Sequence, residues 1–311
     1  MSTPPVVGYL AGPTASGKSS LAVELARARG WAVISADSMQ VYRGLTIGTG
    51  AITLDEQQGV PHHLLGVADP REPFHAARFV ELARRAVEQE WAEHGRRCLV
   101  CGGTGMWIEA LREGLFAGPG RDEVIRDRLR RRAETEGPEA LHAELARVDA
   151  PSAATIRPRD AVRLIRALEV LELTGKPLSA WYEEDRARRA ALGPLPPLVV
   201  LEWPREVLDE RINRRVDQMI AAGWVEEARQ LAELQLPPHS PAAKALGYAE
   251  LAAVARGERE LAPTVDAIKL ATRQYARSQM TWFRRRRDAQ HLAAGPGLAE
   301  QALQLLQPSL G

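Results

Sequence analysis

The sequence predicts an α/β protein whose parallel sheet core is interrupted by a mostly helical insertion domain. Three observations carry that reading. Short apolar runs without polar alternation recur between helical stretches, as parallel strands do when both sheet faces are covered. From Gly118 the texture changes, and 121–190 is rich in Arg, Glu and Ala with no strand-like run. The Gly/Pro-rich segment Gly193-Pro194-Leu195-Pro196-Pro197 then leads back to an apolar run. The expected organisation is a core in two parts, 1–117 and a mostly helical 197–311, around an insertion at 118–196. A length of 311 residues suits about two domains of roughly 150 residues each.

The elements follow in order. Val6–Ala11 is an apolar run and reads as a buried strand. A Gly-rich turn precedes a helix over 19–29, with apolar Leu21, Val23, Leu25 and Ala26. A strand over 31–36, a helix over 74–94, a strand over 97–101 and a helix over 106–113 repeat the alternation. Inside the insertion, Gly137-Pro138, Pro158 and Gly175-Lys176-Pro177 separate one helix from the next, since proline lacks the N–H that a helix interior needs. A strand over 198–203 and helices over 204–222, 224–235, 241–256 and 263–286 complete the chain.

Composition excludes several classes. The hydrophobic share is 45% and the charged share 26%, ordinary for a globular protein. A formal charge of +1 gives no global field, so a polyanion has to be held by local clusters. Two cysteines make no disulfide framework and suit a reducing compartment. No apolar run approaches the roughly 20 residues that span a bilayer. Met1-Ser2-Thr3-Pro4-Pro5 lacks the basic start of a signal peptide. A cytoplasmic protein with no membrane contact is expected.

Gly12-Pro13-Thr14-Ala15-Ser16-Gly17-Lys18-Ser19 fits G-x-x-x-x-G-K-S/T between a strand and a helix. Such a loop aims backbone N–H groups at a phosphate near the positive end of a helix dipole. Lys18 adds a point charge, and the Ser19 hydroxyl is placed to hold Mg²⁺. An NTPase also carries an acid at the end of a buried strand. The candidate strand here ends in Gly102-Gly103-Thr104-Gly105. The nearest acid after a strand is Asp37, as a metal ligand or as a proton acceptor facing the phosphate. The residues alone leave both roles open, and with them a small-molecule kinase or a nucleotide-sensing RNA-binding scaffold.

Further motifs follow: Asp37-Ser38-Met39-Gln40-Val41-Tyr42, Gly48-Thr49, Pro61-His62-His63, Asp69-Pro70, 160–169, Gly175-Lys176-Pro177, Gly223 with Glu226-Glu227, Gly247-Tyr248 and Thr272-Arg273-Gln274-Tyr275-Ala276. Together, and in this order over nearly the whole chain, they resemble the bacterial tRNA dimethylallyltransferases, or tRNA isopentenyltransferases. The resemblance implies a P-loop NTPase-like core that transfers a dimethylallyl group from dimethylallyl diphosphate to N6 of tRNA adenosine 37, 3′ of the anticodon. It implies Mg²⁺ as cofactor, the anticodon stem-loop as partner, and a monomer is expected. Asp37 matches the family's base, and Thr104 a residue of its reaction channel. Arg211 and Arg215 are candidates for an arginine at the diphosphate, Arg215 being favoured.

For tRNA contact the resemblance points to Asp37, Ser38, Met39, Gln40 and Thr104, to Val162, Arg163, Leu164, Ile165 and Arg166, and to Lys244, Gly247 and Tyr248. Arg126 and Arg128 head a basic helix. Lys269, Arg273 and Arg277 recur every four residues, a cationic stripe on one helical face. Cys98-x-x-Cys101 has a redox or zinc spacing, but residues three apart on a strand face opposite ways. They read as core thiols. Trp282 reads as core rather than as a stacking platform.

Overall fold

A computed structural model describes residues 6–116, 118–237 and 240–306. The expected boundary at 117 and the two chain ends, 1–5 and 307–311, lie outside the described residues. The chain divides into two compact units, Met1–Arg112 with Pro196–Gly311, and Glu113–Leu195.

The first unit holds a six-stranded sheet, with β1 Val6–Ala11, β2 Ala32–Ser35, β3 His62–His63, β4 Cys98–Gly102, β5 Leu198–Glu202 and β6 Ala289–Ala293 in the order β3-β2-β4-β1-β5-β6. All neighbours pair in parallel. Both faces are covered, which is why the apolar runs do not alternate. Tyr9, Val100 and Val200 enter the core on one face, and Leu10, Leu99 and Val199 the core on the other. Cys98 and Cys101 fall on opposite faces as free, buried thiols. Burial pushes each up to about 12, far from thiolate chemistry.

Two strands carry no apolar signal. β3 has two residues, and β6 is an edge strand with only Leu292 buried. The helix expected over 241–256 is a 3-10 turn, Ala242–Lys244, followed by a helix, Tyr248–Ala255. Gly247, with φ 86°, separates them. Because β1 lies between β4 and β5, its connection to β2 crosses over β4. Such a crossover opens a crevice at the carboxyl ends of the strands, where parallel sheets bind ligands. The loops leaving β1, β2 and β4 all carry predicted site residues.

The second unit is helical. Its helices include Glu123–Thr135, Pro138–Val148, Ala161–Thr174 and Leu178–Ala190, around Leu129, Leu141, Leu145, Leu164 and Leu168. Asp122, Asp149 and Asp160 cap helix starts by accepting N–H bonds three residues on.

Candidate active site

The phosphate loop leaves β1 at Ala11 and enters helix Lys18–Arg29. Ala15 and Gly17 take left-handed φ values of 62° and 87°, so successive amides turn toward one concave side. Three of the loop's carbonyls are occupied by side-chain donors. Lys18 Nζ donates to Pro13 O at 3.1 Å, Arg211 Nε to Ala15 O at 2.8 Å, and Trp203 Nε1 to Ser16 O at 2.8 Å. No side chain caps the helix start at Gly17, which leaves its first amides to face an anion. Among the described residues, the buried Ser16 Oγ has no hydrogen-bond partner.

Asp37 follows β2. Its Oδ1 accepts from the amides of Met39 (2.9 Å) and Gln40 (3.3 Å). Among the described residues Oδ2 has no hydrogen-bond partner. Thr104 stands behind this turn: its amide donates to Ala36 O at 3.2 Å, and its Oγ1 accepts from Ser38 N at 3.0 Å. Thr104 therefore orients the segment that carries Asp37.

Sequence alone leaves Arg211 and Arg215 unresolved, and both reach the loop from helix Arg205–Ala221. Arg211 braces the Ala15 carbonyl and stacks over Trp203 at 4.4 Å. Arg215 sits inside, donating to Gly50 O at 3.1 Å and Thr14 Oγ1 at 3.5 Å. Burial lowers the pKa of both, and of Lys18. The field of Asp37 opposes burial at Lys18 and Arg215. Cations held out of water in this way gain when an anion arrives.

Two cavities meet at the loop, sharing Ala15, Lys18, Ser19 and Arg215. The outer one, about 980 Å³, adds Arg27, Arg211 and Arg214. The inner one, about 350 Å³, sets Lys18, Ser19, Asp37 and Arg215 opposite an apolar wall that includes Ile212, Val216, Met219 and Trp224. Ser38, Met39, Gln40 and Lys244 also line it.

Two further residues organise this site without a predicted role. Gln279 is buried, accepts from Thr14 N at 2.9 Å and donates to Gly103 O at 3.0 Å, tying the phosphate loop to the turn after β4. Glu227 accepts from the amides of Thr46, Ile47 and Gly48. The Glu226-Glu227 motif marks the second, but nothing local marks its partners.

Several of the expected tRNA contacts have partners within the protein. Leu164 and Ile165 are buried in the helical unit, whereas Val162 and Arg163 are exposed. Arg126 and Arg166 both grip the buried carboxylate of Glu169, at 2.8 Å each, and Arg128 is paired with Glu172. Gly247 serves the backbone, since a Cβ there would lie 2.8 Å from Trp224. Tyr248 is buried and its hydroxyl donates to Glu227 at 2.6 Å. The stripe of Lys269, Arg273 and Arg277 is a helix–helix seam: it meets Asp217 (2.6 Å), Asn213 (2.6 Å) and Asp209 (3.2 Å). The facing residues repeat every four positions too, so the two stripes pair with each other.

Comparison with known proteins agrees with the motifs. Residues 40–286 match the family described as IPP transferase, and residues 6–66 match isopentenyl transferase. A tRNA dimethylallyltransferase of Geobacter metallireducens is 47% identical over 274 residues, 88% of each chain. One of Thermomicrobium roseum is 42% identical over 313 residues, 98% of this chain and 92% of that one. The solved tRNA isopentenylpyrophosphate transferase of Bacillus halodurans superposes with a TM-score of 0.68 at 35% identity, over 96% of both chains. A eukaryotic dimethylallyltransferase acting on tRNA gives 0.79 at 27% identity, over 95% of this chain and 77% of its own. A phosphate loop on an α/β sheet with no acid after β4, matched from residue 6 to residue 286, places the chain in the tRNA dimethylallyltransferase family.

Proposed function

We propose that this enzyme transfers the dimethylallyl group of dimethylallyl diphosphate to N6 of adenosine 37 in tRNA and releases diphosphate. The inner cavity carries the reading, because a phosphate loop, a carboxylate and an apolar wall of prenyl-sized side chains face one space there. The lone pair of N6 attacks the allylic carbon, the carbon–oxygen bond breaks, and its electron pair leaves on diphosphate. The amine is a weak nucleophile because its lone pair is shared with the ring. Asp37 accepts the N6 proton through Oδ2. Lys18, Arg215 and the free loop amides hold the charge that develops on the leaving oxygens. No phosphorus is attacked, so an acid after β4 is not needed.

A divalent ion fits this site only with substrate. No cluster of three or more His, Cys, Asp or Glu side chains stands ready among the described residues, whereas the Ser19 hydroxyl lines both cavities. Mg²⁺ characteristically joins one or two protein oxygens to substrate phosphate oxygens and water. Ser19 would hold it, and it supplies neutralisation of the diphosphate charge.

For tRNA, the target base has to leave the anticodon stack to reach the cavity. Ser38, Met39, Gln40 and Lys244 line that cavity and receive the base and its neighbours. The helical unit, with Val162 and Arg163 exposed, is the proposed insertion that meets the stem. Two reduced, buried cysteines suit the cytoplasm, where we place a monomer. With the long-helix stripe already paired, exposed cations elsewhere, Arg163 among them, are the ones to meet phosphates. Raising salt from about 50 to 200 mM should weaken tRNA binding on the order of tenfold. Filter binding across salt checks this, and a flat response would contradict phosphate contact.

The reaction itself is tested by incubating the protein with unmodified tRNA, Mg²⁺ and radiolabelled dimethylallyl diphosphate, then digesting the RNA. Label is expected in N6-substituted adenosine. An unlabelled digest from folded protein, with ATP consumed independently of tRNA, would overturn the proposal in favour of a kinase.

A further inference from the structure

The loop 45–51 forms one side of the inner cavity, and a carboxylate from a distant helix holds it. Glu227, buried in helix Trp224–Glu233, accepts from Thr46 N (2.9 Å) and Ile47 N (2.7 Å) through Oε2, and from Gly48 N (2.9 Å) through Oε1. The Tyr248 hydroxyl donates to Oε1 at 2.6 Å. Consecutive amides of this kind make an anion nest. Here the protein fills the nest with its own carboxylate, so those amides are not available to substrate.

The other side of the loop points at the chemistry. Gly50 O accepts from Arg215 Nη2 at 3.1 Å, and Thr49 O and Gly50 O accept from Gln40 Nε2 at 3.2 and 3.3 Å. There is no slack in this arrangement. A Cβ on Gly50 would lie 1.8 Å from Arg215 Nη2, and one on Gly48 1.9 Å from Trp224 Nε1. Internal bonds from Gly50 N to Ile47 O and from Ala51 N to Thr46 O, both 2.9 Å, make the loop move as one piece.

We infer that Glu227 and Tyr248 are positioning residues for Arg215: by fixing the Gly50 carbonyl they aim its guanidinium at the phosphate loop and set diphosphate affinity without touching the ligand. This rests on the reading that Arg215 contacts diphosphate. Removing one hydrogen bond from the carboxylate should loosen the loop and leave Arg215 to sample other directions.

The test is calorimetric titration of inorganic diphosphate, with Mg²⁺, into the full-length wild type, Tyr248→Phe, Arg215→Ala and the double variant. Tyr248→Phe keeps the ring and removes only the hydroxyl. It should weaken diphosphate about three- to tenfold, the scale of one ordinary hydrogen bond, because the loss reaches the ligand only through the loop. In the Arg215→Ala background the same change should do almost nothing, because the residue it acts through is gone. In steady state, Tyr248→Phe should raise the KM for the prenyl donor and leave the KM for tRNA unmoved. Equal losses in both backgrounds, as a general softening of the fold would produce, overturn the inference. An Arg215→Ala protein that binds diphosphate like wild type would instead remove the underlying reading of Arg215.

Discussion

Asp37→Asn should turn over about 10²–10⁴ times more slowly than wild type, the usual range for losing a general base, with the KM for tRNA nearly unchanged. The separation of effects follows from how the carboxylate is used. Oδ1 is taken by the amides of Met39 and Gln40, and an asparagine carbonyl accepts both. The turn that presents Ser38, Met39 and Gln40 therefore survives, while the atom that takes the N6 proton becomes an amide nitrogen. Asp37→Ala removes both functions. It should show the same loss in rate together with weaker tRNA binding, because the turn loses its internal acceptor. Single-turnover kinetics with saturating tRNA isolate the chemical step. An Asn variant with wild-type rate would remove Asp37 from proton transfer and leave it a structural role.

How much of this site is legible in the sequence depends on how far apart its partners lie. The phosphate loop is written in eight consecutive residues, and its carbonyl and amide directions follow from them. Asp37 is legible as the acid after a short apolar strand. Cys98 and Cys101 are legible as core thiols because the strand period sends them to opposite faces. What cannot be read locally is what each polar side chain meets. Gln279 reaches Thr14 across 265 residues, and Glu227 reaches Gly48 across 179. The stripe of Lys269, Arg273 and Arg277 gives no sign in the sequence that Asp209, Asn213 and Asp217 stand opposite it. Periodicity shows that such residues share a face, but not whether that face meets solvent or another helix. β6 is missed for a related reason: an edge strand with one buried side chain has no apolar pattern to show.

Lys18→Ala should lower kcat/KM for the prenyl donor by about 10²–10³, comparable to removing one preorganised donor from a developing anion. Donor binding and turnover should fall together, since diphosphate is present both in the substrate and, with more charge, in the transition state. The structure adds a pH signature. Burial lowers the pKa of Lys18 below the ordinary lysine value, with Arg215 adding to the effect and Asp37 opposing it. In the free enzyme the lysine therefore loses its proton at a lower pH than an exposed lysine does. Bound diphosphate favours the charged form and pulls the pKa back up. Affinity for diphosphate is then full below the free-enzyme pKa and declines as pH rises through it, with a proton taken up on binding in that window. Calorimetry at alkaline pH, in two buffers of different ionisation enthalpy, reads the proton uptake directly. Uptake should disappear in Lys18→Ala, and its persistence there would assign the proton to another group. Lys18→Arg should not restore function: its larger planar head carries the charge but has to displace the Pro13 carbonyl contact that holds Nζ in the loop.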